Sequence, residues 1–290
     1  MVTHALLPGL TRSVRFPMFH CGRFNFERDR PLLMGIVNVT ADSFSDGGRY
    51  LHARQAIDHA LQLCEEGADI LDIGGESTRP GAAPVPLQAE LDRVLPVLEG
   101  LRDCGAALSV DTMKPEVMAA VLAAGADMIN DVNGLEAPGA LAAVATSTCG
   151  LCLMHKQGEP RTMQAHPVYT DVATEVSTYL AARVAACQTA GVSAERLLID
   201  PGFGFGKTFE HNQALFKNLP RLADTAPVLV GVSRKSMLGH ITGQPVEARL
   251  AASVTAAVLA AQRGAAVLRV HDVRATRDAL AVLKKLGDTI

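Results

Sequence analysis

Tryptophan is absent from the 290 residues, and aromatics together make up only 4% of the chain. A core built without them has to be aliphatic, and 48% hydrophobic residues supply it amply. Cysteine is scarce too. Six are spread over positions 21, 64, 104, 149, 152 and 187, too thinly for a disulfide framework in a chain this long. Cys149 and Cys152 have the C-x-x-C spacing of redox and zinc sites, but they run into the apolar segment Leu151–Met154 and no second pair completes a metal site. Free, buried thiols are the expectation. No run of about 18 uninterrupted apolar residues occurs, so no membrane span is expected. Charge has no dominant sign: 27 Lys and Arg against 30 Asp and Glu give a net −3. That excludes the footprint of a nucleic-acid or anionic-membrane binder. Residues 1–26 lack acids and carry Arg12, Arg15 and Arg23, which leaves a transit peptide as an alternative, but Pro8 breaks the apolar run Ala5–Leu7 and no secretory leader is read. A cytoplasmic enzyme or binder is expected.

What the chain does have is a repeat. Short apolar runs occur at 32–39, 70–73, 107–110, 128–129, 151–154, 197–199, 228–230 and 266–270, each ending in polar residues and each followed by an amphipathic segment. The mean step between polar ends, about 33 residues, suits one βα unit. Near-continuous apolar runs point to parallel strands covered on both faces. Gly67 and Gly125 end helices, and Pro115 beside Glu116 opens one. Pro96 should kink the helix 87–98. Eight such units predict an α/β chain closed into a single (β/α)8 barrel. A doubly wound sheet would carry a G-x-G-x-x-G turn after its first strand, and none is present. Residues 1–30 are read as an extension and hairpin closing the bottom of the barrel, and 31–290 as the barrel domain.

Polar groups crowd the predicted strand ends: Asn38, Asp72, Glu76, Asp111, Asn130, Asp131, His155, Asp200, Ser233, Arg269 and His271 among them. In such a barrel the C-terminal ends of the strands carry the chemistry. Asp111, Asn130 and Asp200 could read the donor and acceptor edge of a flat, nitrogen-rich heterocycle. Alternatively Asp111 and Asp200 cap the helices that follow. The segment Asp200–Thr208 misses a phosphate loop because Pro201 stands where the first glycine belongs. Its glycines are expected to let backbone approach a planar ligand, with Phe203 or Phe205 beside it. Arg269 and His271 sit at i and i+2, so both point to one face and suit a diphosphate. Lys235 in Ser233–Ser236 is a second anchor, or a Schiff-base nucleophile. Loops 38–48 and 74–81, rich in Gly, Ser and Asp, read as lids. Within the first, Asn38 and Asp46 offer hard oxygens to Mg2+ alongside substrate phosphate.

From about Leu33 to Val273 the motifs Asn-Val-Thr-x-Asp-Ser-Phe-Ser-Asp-Gly-Gly (38–48), Gly-Gly-Glu-Ser-Thr-Arg-Pro-Gly (74–81), Ser-Val-Asp-Thr (109–112), Ile-Asn-Asp (129–131), Leu-Met-His (153–155), Asp-Pro-Gly-Phe-Gly-Phe-Gly-Lys (200–207), Gly-x-Ser-Arg-Lys-Ser (231–236) and Arg-Val-His-Asp (269–272) occur in order. The chain thereby resembles the dihydropteroate synthases of the folate pathway, a pterin-binding barrel family. The resemblance implies condensation of 6-hydroxymethyl-7,8-dihydropterin diphosphate with p-aminobenzoate, giving 7,8-dihydropteroate and diphosphate. It implies Asp111, Asn130, Asp200 and Lys235 for the pterin, and Thr78, Arg79, Arg269 and His271 for the diphosphate. Phe44, Pro80, Phe205, Lys235 and Ser236 match the p-aminobenzoate wall, which sulfonamides are expected to share. Asn38, with Asp46, matches the magnesium site, and Lys235, Arg269, His271 and Asp111 carry the catalytic assignment. A homodimer is implied as well. A methyltetrahydrofolate–corrinoid methyltransferase of the same superfamily would share the pterin carboxylates but needs no diphosphate site, so Arg79, Arg269 and His271 speak against it. A non-catalytic pterin-binding paralogue is the other alternative.

Two positions depart from the family pattern: Ala41 replaces a usual Pro in the first lid, and Lys156 stands where Met is common. Ala41 relaxes the lid without removing a ligand. Pterin affinity should therefore be normal and p-aminobenzoate affinity altered; separate binding titrations that found the pterin weakened instead would refute this.

Overall fold

In the computed structural model, which describes residues 18–27, 29–39, 49–77, 81–158 and 162–287, eight parallel strands close into a barrel. A two-stranded antiparallel hairpin, β1 (Met18–Cys21) and β2 (Phe24–Glu27), comes first. The barrel strands are β3 (Leu32–Asn38), β4 (Ile70–Gly74), β5 (Ala107–Asp111), β6 (Met128–Asp131), β7 (Gly150–Met154), β8 (Leu197–Asp200), β9 (Val228–Val230) and β10 (Ala265–Val270), which closes back on β3. All eight expected runs are strands. Their residues are buried almost without exception, because helices cover the outside and side chains fill the inside. Helices follow the strands: α1 (Arg49–Glu66), α2 (Leu87–Gly100), α3 (Pro115–Ala123), α4 (Ala140–Ala145), α5 (Val172–Thr189), α6 (Phe209–Lys217), α7 (Leu219–Leu222), α8 (Ser236–Thr242), α9 (Leu250–Gln262) and α10 (Val273–Leu286). Pro96 lies within α2, and Pro115 opens α3 at its first position, as read. Among the described residues no helix is long and apolar enough to cross a membrane.

Strand pleating sorts the side chains with a period of two. One set, including Leu71, Ile73, Leu108, Val110, Ile129, Leu151 and Leu153, packs outward in the layer shared with the helices. The alternate set points into the barrel. At the N-terminal end this inner set is apolar: Leu32, Met34, Ile70, Ala107, Met128, Leu198, Leu229 and Val267 form a second cluster with Phe19 and Cys21 of the hairpin. The hairpin therefore plugs the bottom of the barrel. At the C-terminal end the same inward register becomes Asp72, Ser109, Asp111, Asn130, Asp200 and Arg269.

The plug is held by shape and by one carboxylate. Gly150 leaves the space that Phe19 fills; a Cβ there would lie 2.8 Å from the ring. Buried Asp127 accepts hydrogen bonds from the Arg23 backbone N–H (3.1 Å), its Nε (2.9 Å) and Nη2 (2.9 Å), and from the Leu108 N–H (3.0 Å). Phe19→Ala should destabilise the barrel by about 3–5 kcal/mol, a Tm fall on the order of 10 °C, through the cavity it leaves. The polar mouth lies at the opposite end, so kcat should be unchanged; thermal unfolding and kinetics on one preparation check both halves.

Candidate active site

A cavity of about 890 Å³ opens at the C-terminal ends of the strands, with Asn38, Asp111, Phe205, Lys235, Ser236, Arg269 and His271 in its wall. Ile36, Gly74, Gly231 and Ser233 complete the inward register of three strands. Asn130 and Asp200, 5% and 6% exposed, are buried beside this wall rather than part of it. The remaining sequence candidates, Phe44, Asp46, Thr78, Arg79 and Pro80, lie outside the described residues, as does Ala41.

The centre of the site is a guanidinium between carboxylates. Arg269 Nε donates to Asp72 Oδ2 at 2.6 Å, and its Nη2 to Asp111 Oδ2 at 3.2 Å. Asp72 also accepts from Ser109 Oγ (2.7 Å) and Asn130 Nδ2 (3.1 Å). These charges sit where water is largely excluded, which strengthens each interaction and makes an unpaired charge costly. Burial raises the Asp111 carboxyl to about 8, and the charge of Asp72 adds to the rise while Arg269 opposes it. Among the described residues Asp111 Oδ1 is buried without a hydrogen-bond partner, an acceptor or acid proton available to a ligand.

Lys235, the residue before α8, forms the second charged point. Its Nζ donates to the Phe203 carbonyl at 2.5 Å and lies 4.7 Å from the centre of the Phe205 ring. Burial lowers its ammonium to about 8, with Asp200 and Asp111 holding it up against Arg269. Burial likewise raises Asp200, against the pull of Lys235.

Several sequence expectations change here. Neither Asp111 nor Asp200 caps a helix: Lys114 occupies the N-cap of α3, and Thr208 caps α6 in a reciprocal box with His211. Asp200 Oδ1 instead accepts from the Gly202 N–H at 2.7 Å. Of the glycines of 200–207, Gly204 lines the cavity, whereas Gly202 and Gly206 are required by packing against protein. A Cβ on Gly202 would lie 1.9 Å from the His155 carbonyl oxygen, and one on Gly206 2.3 Å from that of Gln157, both at positive φ. Both phenylalanines line the cavity, but the Phe203 ring is fully buried against Phe216 while the Phe205 ring lies beside Lys235.

Strand parity explains which polar ends stay out of the site. Asp131 and His155 fall on the outward register. Asp131 accepts from the N–H groups of Asn133 and Leu135, both at 2.8 Å. His155 packs against Tyr179 and meets Lys207 Nζ at 3.0 Å through Nδ1; Lys207 also donates to the Phe205 carbonyl at 3.0 Å, tying the glycine loop to β7. Arg234, beside Lys235, is held by Asp272 (2.6 Å) at a positive φ of 58°. Conversely, sequence reading gave no role to Asp72, Ser109 or Lys114. Lys114 bridges Glu76 (2.5 Å) and Glu90, while Glu76 accepts from the Val85 N–H at 2.9 Å, so both ends of the second loop are anchored. Only the inward register of Asp72 and Ser109 signalled their place.

Among the described residues no three His, Cys, Asp or Glu side chains converge on a metal site. Asn38 presents its amide at the cavity wall, which fits a hard cation held by one or two protein oxygens together with substrate phosphate.

Residues 34–271 match the model of the pterin binding enzyme family. Dihydropteroate synthase of Neisseria meningitidis serogroup C is 51% identical over 276 residues, 93% of this chain and 98% of that protein. The crystal structure of Burkholderia cenocepacia dihydropteroate synthase complexed with 7,8-dihydropteroate superposes with a TM-score of 0.85 at 52% identity, covering 93% of this chain and 96% of that one. The Xanthomonas albilineans enzyme with 4-aminobenzoic acid gives 0.88 at 53%, over 93% and 98%. With family model, relatives and fold in agreement over nearly its whole length, the chain belongs to the pterin-binding enzymes, among the dihydropteroate synthases.

Proposed function

We propose that the chain joins 6-hydroxymethyl-7,8-dihydropterin diphosphate to p-aminobenzoate with the residues of this barrel mouth in defined roles. The observation that carries the reading is the meeting, in one cavity, of carboxylates able to hold a pterin edge with cations able to receive a diphosphate. Asp111, Asn130 and Asp200 bind the ring, and Lys235 donates to its acceptors. A ring that presents N–H donors favours the ionised form of Asp111, whose Oδ1 has no partner among the described residues. Arg269 and His271, with Thr78 and Arg79 from the second loop, receive the diphosphate. Ser233 Oγ accepts the His271 N–H (3.3 Å) and lies 3.0 Å from Nδ1. These two contacts set the orientation of the imidazole at the mouth.

The methylene–oxygen bond breaks and its electron pair leaves with the diphosphate, whose growing charge Arg269 and His271 neutralise. The carboxylates under the ring stabilise the positive charge left on the pterin methylene. The amine lone pair of p-aminobenzoate then forms the new C–N bond and the nitrogen sheds its proton. Phe44, Pro80, Phe205, Lys235 and Ser236 enclose that amine and keep water from the carbon. Asn38 and Asp46 would hold Mg2+, which when bound supplies further charge neutralisation at the phosphates. The reading includes a homodimer in the cytoplasm. A corrinoid-dependent methyltransferase would have no use for Arg269 and His271 at the mouth. A Schiff-base role for Lys235 would show as borohydride trapping.

Diphosphate release should require both substrates, and a sulfonamide should compete with p-aminobenzoate while leaving pterin binding intact. Release without the amine would mean a hydrolase, and no release at all a non-catalytic paralogue.

The pH dependence follows from two groups. Asp111 keeps its proton until the pH approaches about 8, and Lys235 loses its proton above about 8. If ionised Asp111 and charged Lys235 bind the pterin, kcat/KM for the pterin diphosphate rises toward pH 8 and falls beyond it. Lys235→Met should abolish the alkaline limb and lower kcat/KM by about 10²–10³-fold. A wild-type profile flat from pH 6 to 9 would contradict the assignment.

A further inference from the structure

Asp72 touches none of the reacting groups assigned above, yet it is fully buried and all its interactions lead to residues of the site. Its Oδ1 accepts from Ser109 Oγ at 2.7 Å. Its Oδ2 accepts from Arg269 Nε at 2.6 Å and from Asn130 Nδ2 at 3.1 Å. Each contact selects an orientation. With Nε on Asp72 and Nη2 on Asp111, the guanidinium is gripped along one edge, and no described residue bonds Nη1. With one Nδ2 hydrogen on Asp72, the amide of Asn130 is held in one of its two flips, which fixes where its acceptor Oδ1 lies. Asp72 thus decides which part of the arginine and which end of the amide a ligand meets.

We infer that Asp72 is a positioning residue of the condensation: without touching substrate, it aims Arg269 Nη1 at the diphosphate and turns the acceptor oxygen of Asn130 toward the pterin. Ser109 seats Asp72 through its free oxygen. The inference rests on the reaction proposed above.

A plain structural carboxylate would neutralise Arg269 and nothing more. Asp72 also acts on Asp111, and this separates the two roles. Asp111 is faced by Asp72 from β4, Arg269 from β10, Asp131 from β6, Glu90 from α2 and Lys235 from the start of α8. Of the carboxylates, Asp72 raises it most, after burial itself.

The test starts from wild-type enzyme with both substrates; if that releases no diphosphate, the proposed function fails and Asp72 is not the reason. On active enzyme, Asp72→Asn keeps the shape but removes the charge: its one amide oxygen can still face Arg269 and Asn130, but as a neutral acceptor it holds the guanidinium far less firmly. The expected result is a fall of about 10- to 100-fold in kcat/KM for the pterin diphosphate, with KM for p-aminobenzoate within about twofold of wild type. The acid limb of the pH profile should also move to lower pH, because Asp111 loses a charged neighbour. Wild-type kinetics, equal damage toward both substrates, or a loss with the acid limb unmoved would each overturn the inference. Circular dichroism and urea unfolding establish that the variant is folded. If it is not, Ser109→Ala, which keeps the charge but unseats it, decides: a several-fold rise in KM for the pterin diphosphate alone supports the inference, and unchanged kinetics overturn it.

Discussion

A guanidinium held between two buried carboxylates is the interaction on which the rest of this site depends. Arg269, Asp72 and Asp111 come from three strands far apart in sequence, and their charges meet where the protein excludes most water. Such a cluster is poor evidence for stability, since stripping water from the ions offsets much of their attraction. Its value lies in geometry and in proton affinity. Burial raises the Asp111 carboxyl to about 8, and among the described residues its Oδ1 meets no donor. A ligand that supplies donors completes what the empty site lacks.

Around that centre the barrel keeps two interiors in one closed sheet. The lower half is an aliphatic plug reinforced by Phe19, with no tryptophan in the chain to fill it. The upper half carries the polar network around Arg269, Asp72 and Asp111. The transition occurs within single strands: Ile70 and Asp72, Met128 and Asn130, or Leu198 and Asp200 stand two residues apart on the same inward face. Rigid strands therefore carry the charged groups, while the loops between strands and helices carry the parts that close over substrate. Lys114 and Lys207 fasten the roots of two such loops to the scaffold, one through Glu76 and Glu90, the other through the His155 ring and the Phe205 carbonyl.

The glycines of 200–207 show how a motif can be read correctly and explained only in part: Gly204 lies in the cavity wall, but Gly202 and Gly206 answer to the protein itself. Their number and positive φ marked a tight loop, and close approach was the right physical expectation. What approaches is the chain itself: the carbonyls of His155 and Gln157 occupy the space that side chains would need. The helix caps were a similar case. Asp111 has the residue type of a cap, but α3 begins only at Pro115, and by then Asp111 has been turned inward by the pleat of β5.

Local physics sufficed for the eight strands, their order of occurrence, the hairpin and the crowd of polar residues at the C-terminal ends, and the ordered motifs carried the resemblance to the family. Apolar runs, glycine stops and spaced motifs are all properties of neighbouring residues, and sequence carries those directly. Which polar ends face each other was decided only by closing the barrel. Parity along each strand sends Asp111, Asn130, Asp200 and Arg269 inward and Asp131 and His155 outward, and register between strands then brings Arg269 to Asp72 across 197 positions of chain. Contacts at that separation leave no trace in local pattern, because they exist only once hydrogen bonding around the sheet has set which residues share a level.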